Sequence, residues 1–158
     1  MEISKPYIRM AMVLGAVSAL TLVMTASSFT SVFAQNPHFV GQPNCTVSST
    51  GVLTCSGKIG GLGDVQSATA SLTASVASAC VNKGGNFPTG QQGTTVSSGP
   101  QTFPVRNGAV NYQQSITPTS TAKCNGQGLT LCYQYTNVFV TIEGKTLPIP
   151  GTFSNCRI

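Results

Sequence analysis

Residues 68–76 read Ala-Thr-Ala-Ser-Leu-Thr-Ala-Ser-Val, and their pattern indicates the fold class. Apolar side chains occupy every second position, and serine or threonine fills the positions between them. A period of two places the apolar residues on one face of a β-strand and the hydroxyls on the other. On a helix the same residues would be spread around the axis without forming an apolar stripe. The stretch therefore predicts a strand that is buried on one side.

Hairpin signals lie on both sides of this strand. Residues 45–48 and 52–55 flank a Ser-Thr-Gly turn, which predicts a first hairpin. Further along, Asn107-Gly108 separates the strand-like residues 101–105 from 109–112. Asn-Gly is the strongest short hairpin signal, so these two segments are predicted to pair.

The C-terminal third continues the β pattern. Residues 129–135 and 138–142 are predicted as two strands, and residues 143–145 as the turn that follows them. Residues 147–153 form a predicted last strand, which its two prolines confine to the edge of a sheet.

Roughly seven or eight short strands, with no convincing helix after the N-terminal segment, predict an all-β fold. The leading architecture is an antiparallel β-sandwich, immunoglobulin-like in size and stapled by disulfides, and a Greek-key β-barrel is the alternative.

The N-terminal segment reads as an export signal. Lys5 and Arg9 precede an uncharged apolar run, and Val32-Phe33-Ala34 fits a cleavage site. We therefore expect residues 1–34 to be a signal peptide and residues 35–158 to form a single domain. The alternative is an uncleaved signal, in which residues 10–34 anchor the protein in a membrane.

Cysteine usage supports export. All six cysteines follow the signal, and an even set of this kind predicts disulfides made in an oxidising compartment, hence a secreted, extracellular protein. Six cysteines allow fifteen connectivities. The first hairpin favours a bond between Cys45 and Cys55. The cysteines are Cys45, Cys55, Cys80, Cys124, Cys132 and Cys156.

Charge excludes one class of partner. The formal net charge is +5, but the lysines and arginines after the signal are scattered singly. They form no stripe that could neutralise a row of phosphates, so no specific nucleic-acid binding is expected. Weak attraction to anionic polymers or cell surfaces remains open.

Candidate catalytic groups are few. After the signal the only carboxylates are Asp64 and Glu143, each beside a glycine in a predicted turn, where a solvated carboxylate is the ordinary outcome. His38 follows Pro37 in an N-terminal arm that is expected to lack an anchor, which disfavours a catalytic triad. The sequence lacks a Cys-x-x-Cys pair, which a zinc or redox site would usually need, so neither a metal nor a cofactor is expected.

Residues 80–88 read Cys-Val-Asn-Lys-Gly-Gly-Asn-Phe-Pro. They resemble the Cys-x-Asn-x-Gly-Gly-Asn-x-Pro segment of a family of small secreted β-rich proteins of uncharacterised function from soil microbes. Residues 103–108, 124–126 and 135–138 are similar to further pieces of that family, in the same order. The resemblance supports the fold and secretion. It also implies a bond between Cys80 and Cys124, which leaves Cys132 and Cys156 as the third pair.

The first functional hypothesis is a secreted, non-enzymatic binding module whose loops contact an extracellular macromolecule or the cell surface. The candidate contact loop contains Lys83, Asn86 and Phe87. A rigid loop with an aromatic residue is suited to contact, although Phe87 could instead fold back as a plug over the core. The alternatives are a hydrolase that uses Asp64 and Glu143, and a protease inhibitor that presents the contact loop.

Overall fold

A computed structural model of the protein describes residues 36–82, 84, 87, 93–119, 123–126 and 128–156. The described residues contain ten strands and no helix. The strands are β1 (His38–Phe39), β2 (Asn44–Val47), β3 (Leu53–Gly60), β4 (Ser67–Val81), β5 (Thr94–Ser97), β6 (Gln101–Pro104), β7 (Val110–Ile116), β8 (Thr130–Ile142), β9 (Lys145–Ile149) and β10 (Phe153–Ser154).

The first sheet is built around β3. Both β1 and β2 pair with one edge of β3, and β7 pairs with the other, all antiparallel. The turn that joins β2 to β3 contains Gly51 at a φ of 86°, a backbone conformation that glycine adopts without steric cost. The first predicted hairpin is therefore confirmed.

The second sheet is built around β4 and β8, which run antiparallel along almost their whole length. Both β5 and β6 pair with the outer edge of β4, and β9 and β10 pair with the outer edge of β8. The alternating residues 68–76 lie in β4, and its five alternating apolar residues are all buried. The one-sided strand that the pattern predicts is confirmed.

The inner faces of both sheets contribute to one hydrophobic cluster. Among the described residues, two buried hydrogen bonds join the sheets. Gln114 on β7 donates from Nε2 to the Ala70 carbonyl of β4 at 2.8 Å, and the Tyr135 hydroxyl of β8 donates to the Gly51 carbonyl at 2.6 Å. The described chain is thus an all-β antiparallel sandwich, as predicted.

The Asn107-Gly108 prediction is half wrong. The turn exists, with φ values of 52° and 68° at its two central residues, and Arg106 and Ala109 exchange two backbone hydrogen bonds across it. The strands on either side do not pair, because β6 joins the second sheet and β7 joins the first. Pro104 has no N–H to donate to a ladder, and the Val105 N–H bonds to the Gln66 carbonyl instead. The turn therefore carries the chain between sheets.

Three further predictions need correction. The two strands predicted over 129–142 are one strand, β8, in which Asn137 forms a bulge opposite the register shift in β4. Asparagine tolerates the left-handed conformation that such a bulge uses. The predicted last strand is divided into β9 and β10, although both lie at a sheet edge as expected. The arm that carries His38 is anchored, because His38 pairs with Gly60 as part of β1.

All three predicted disulfides are present: Cys45 with Cys55, Cys80 with Cys124, and Cys132 with Cys156. The first bridges directly opposed residues of β2 and β3. The predicted signal peptide and its cleavage site lie outside the described residues. In the part of the chain that the structure describes, no helix has the length and hydropathy needed to cross a membrane.

Candidate functional site

An open cleft of about 740 Å³ lies at one end of the sandwich, and we call it the end cleft. Both sheets contribute to it, through the β2–β3 hairpin, the end of β4, the start of β8 and the segment from β10 onward. Its described lining residues are Val47, Ser49, Val81, Asn82, Gly128, Thr130, Leu131, Cys132, Ser154, Asn155 and Cys156.

Asn155 holds the two walls of the end cleft together. Its Oδ1 accepts a hydrogen bond from the Tyr133 N–H at 2.7 Å, and its Nδ2 donates to the Ser49 carbonyl at 3.2 Å. Its own N–H donates to the Tyr133 carbonyl at 3.3 Å. One side chain therefore fixes the C-terminal segment to β8 and to the turn of the opposite sheet.

A disulfide reinforces the same wall. Cys132 and Cys156 both line the end cleft and are bonded to each other, with their Cα atoms 5.0 Å apart. Cys132 is fully buried on β8, so the bond ties the C-terminal segment to the core. A site whose walls are already fixed loses little conformational entropy when a ligand binds. The end cleft is preorganised in this sense.

The chemistry of the end cleft is that of uncharged hydrogen bonding. Its described side chains are hydroxyls, amides and small apolar groups, and none of them is charged. Such a lining suits a neutral, polar segment with some apolar surface. Sequence reasoning missed this site, because it is assembled from four separated segments, and nothing near Asn155 marks that residue as a bridge between sheets.

The sequence-predicted contact loop is only partly described. Phe87 is half-buried, while Lys83 and Asn86 lie outside the described residues. At the start of the loop, the Asn82 Oδ1 accepts a hydrogen bond from the Gly84 N–H at 3.0 Å, and Asn82 also lines the end cleft. Whether Phe87 contacts a partner or plugs the core stays a prediction.

The candidate catalytic residues lie outside the end cleft. Asp64 and Glu143 are exposed in turns, as predicted. The Glu143 Oε1 accepts a hydrogen bond from the Thr69 N–H at 2.7 Å, which gives this carboxylate a structural role. His38 is exposed, and its Nδ1 lies 2.9 Å from the Asn36 carbonyl. Within the described ranges, no group of three or more His, Cys, Asp or Glu residues could hold a metal ion.

The two tyrosines of β8 belong to the hydrophobic core. Tyr133 and Tyr135 are buried, so neither offers a flat surface for stacking on a sugar. Burial raises the pKa of Tyr135 to about 12, with a smaller contribution from Tyr133. Burial also raises the pKa of Tyr112 to about 12.

Neither a protein-family model, nor a curated protein, nor a solved structure matches this chain.

Proposed function

We propose that the protein is a secreted, non-enzymatic binding module, and that its end cleft holds an uncharged, hydrogen-bonding segment of another extracellular macromolecule. The observation that carries the proposal is the double fixation of the cleft wall, by Asn155 and by the disulfide between Cys132 and Cys156. Three disulfides on a small β fold also fit an extracellular protein.

Secretion supplies the setting for this function. The N-terminal sequence supports cleavage after Ala34, which would release a domain that begins at Gln35. N-terminal sequencing of protein from the culture medium tests this step. Recovery of membrane-bound chain that begins at Met1, with none in the medium, would favour the anchored alternative.

A non-enzymatic role is supported by the positions of the two carboxylates. Asp64→Asn and Glu143→Gln are expected to leave partner binding unchanged, because neither residue lines the end cleft. A panel of glycosides, peptides and proteases checks the competing functions. Turnover that disappears with either substitution would establish the hydrolase, and inhibition of a protease would establish the inhibitor.

The binding site is tested with two variants that insert a long cation from opposite walls. The variants are Ser49→Arg and Thr130→Arg. Ser49 lies in the β2–β3 hairpin of the first sheet, and Thr130 is the first residue of β8 in the second sheet. Both residues are exposed, so folding should survive. Thr95→Arg, on β5 and away from the described lining, adds the same charge and serves as the matched control. Only the two cleft variants should lose the partner captured from the medium.

A further inference from the structure

A second concave site lies where the chain crosses from the second sheet to the first. This cavity of about 290 Å³ is formed by the end of β6, the Asn107 turn and the adjacent parts of β3 and β7. We call it the cationic groove. Its described lining residues are Lys58, Pro104, Arg106, Asn107, Ala109 and Asn111.

Strand register places the two cations of this groove on the same face. Lys58 lies directly opposite Asn111 in the β3–β7 ladder, and Ala109 is bridged to Arg106. The chain neighbours of Lys58 and Asn111 on these strands include core residues, so alternation directs both side chains to the outer face of the first sheet. Arg106 forms a β-bridge with Ala109, so its side chain lies on the outer face as well.

The backbone beneath Arg106 is fixed. The Arg106 N–H donates to the Ala109 carbonyl at 2.8 Å, and the Ala109 N–H donates back at 3.1 Å. One residue earlier, the Val105 N–H is bonded to the Gln66 carbonyl at 2.9 Å. The guanidinium therefore extends from a rigid base, which reduces the entropy lost when it binds a ligand.

The positive charge of the groove is not compensated. Among the described residues, neither Lys58 nor Arg106 has an ion pair or a side-chain hydrogen bond. The Glu143 carboxylate accepts a hydrogen bond from the Thr69 N–H of β4 and does not line the groove. Asp64 is nearer to the groove, because the backbone of the preceding residue, Gly63, approaches Gly108. Asp64 nevertheless forms no ion pair with another described residue. Two like charges in one concavity attract an anion more strongly than separate surface charges do.

We propose that the cationic groove binds the acid groups of an extracellular acidic polysaccharide. An arginine fork can hold a carboxylate or a sulfate through two parallel hydrogen bonds, and the lysine adds a point charge. Asn107 and Asn111 supply neutral donors and acceptors in the same groove, and the outer face continues with hydroxyl and amide side chains suited to sugar hydroxyls. These are Thr54, Ser56, Gln113 and Ser115.

The number of cations argues against two other anionic partners. A nucleic acid would call for a row of cations along its phosphates, and an anionic membrane surface for a cluster of about four to eight. The described groove contains two. The proposal does not rest on the end cleft, since the described linings of the two sites share no residue.

The test measures binding of the purified protein to immobilised dextran sulfate, polygalacturonate and neutral dextran at several salt concentrations. Lys58→Gln with Arg106→Gln should weaken binding to the acidic polymers by about tenfold or more and reduce the salt slope by about one for each cation. The matched control, Lys123→Gln with Lys145→Gln, removes the same charge from exposed sites outside the described lining. It should change affinity by less than about threefold, since distant exposed charges are screened.

Each result decides the proposal. Equal losses in the two double variants would show attraction by net charge alone and overturn it, as would an absence of binding to both acidic polymers. Binding to single-stranded DNA or to phosphatidylserine vesicles is measured in the same assay. If either is bound more tightly than the acidic polysaccharides, the proposal of a polysaccharide partner is overturned. Preference for dextran sulfate or for polygalacturonate would identify the acid group as sulfate or carboxylate. Lys58→Arg with Arg106→Lys keeps both charges but moves the guanidinium, so it should bind the acidic polymers more weakly than the unaltered protein and more tightly than the glutamine double variant. Binding as weak as that of the glutamine variant would show that the swapped groove no longer folds or binds, and binding equal to that of the unaltered protein would overturn the role given to the Arg106 fork.

Discussion

At the scale of single residues, two buried tyrosines stand in opposite hydrogen-bonding situations. The Tyr135 hydroxyl donates to the Gly51 carbonyl, whereas the Tyr112 hydroxyl is buried without a partner among the described residues. An unpaired buried hydroxyl has lost its hydration without gaining a protein hydrogen bond. The two residues therefore make a matched pair for the same substitution.

Tyr135→Phe should lower the free energy of unfolding by about 1 to 3 kcal/mol, because it leaves the Gly51 carbonyl without its donor. Tyr112→Phe should be neutral within about 0.5 kcal/mol or stabilising, since it removes an unsatisfied group. Urea unfolding of both variants measures the two changes. Equal destabilisation by the two substitutions would contradict the assigned hydrogen bonds.

A second prediction at this scale concerns Gly51. Its φ is 86°, and a Cβ there would overlap the ring of Tyr133. Gly51→Ala should therefore cost about 1 to 2 kcal/mol for the left-handed backbone and about 1 to 3 kcal/mol more for the displaced ring. Gly144→Ala isolates the backbone part, because Gly144 has a φ of 75° and open space around it. Similar melting temperatures for the two variants would refute the ring contact.

At the scale of elements, Asn155 joins the C-terminal segment to both sheets. Asn155→Ala should destabilise the protein by about 1 to 3 kcal/mol, because the Tyr133 N–H and the Ser49 carbonyl lose their partner. It should also weaken partner binding at the end cleft. Asn125→Ala is the control, since Asn125 is exposed and outside the described lining. A thermal melt beside a binding assay measures both effects.

Sequence was informative where a structure depends on neighbouring residues. The strict alternation over residues 68–76 predicted a one-sided strand, and residues 49–51 predicted a turn, because both follow from local geometry. Asn107-Gly108 likewise predicted its turn but not the destination of β6 and β7. That destination depends on which distant edge each strand meets, and no local pattern encodes it.

The candidate site was less predictable for the same reason. The end cleft brings together residues from Val47 to Cys156, and a single sequence does not show which of them meet. Asn137 illustrates the limit inside one element. It lies between the two strands that were predicted over residues 129–135 and 138–142, but its left-handed conformation allows β8 to continue through a bulge.

At the scale of the whole molecule, the free energy of unfolding should decrease at alkaline pH. Burial raises the pKa of Tyr112 and of Tyr135 to about 12, above the ordinary phenol value of about 10. Because the folded state favours the neutral phenol, this contribution is fully present below about pH 10. The contribution is lost as the pH rises through about 12. The free energy of unfolding then decreases by at most about 3 kcal/mol for each tyrosine.

Urea midpoints from pH 8 to pH 12 measure this loss, and Tyr112→Phe should make it smaller. A midpoint that stays constant up to pH 12 would show that the two phenols titrate alike in the folded and unfolded chains.

If the disulfide-braced end cleft binds an extracellular partner, a cation placed in the cleft should block that binding. The affinity of the captured partner is measured by surface plasmon resonance for the unaltered protein and for the Ser49→Arg, Thr130→Arg and Thr95→Arg variants. Ser49→Arg and Thr130→Arg should each lower affinity by about tenfold or more, as expected when an interface centre is blocked, while Thr95→Arg should bind normally. Undiminished binding by both cleft variants, or failure of the unaltered protein to retain any partner, would show that the end cleft is not the site of binding.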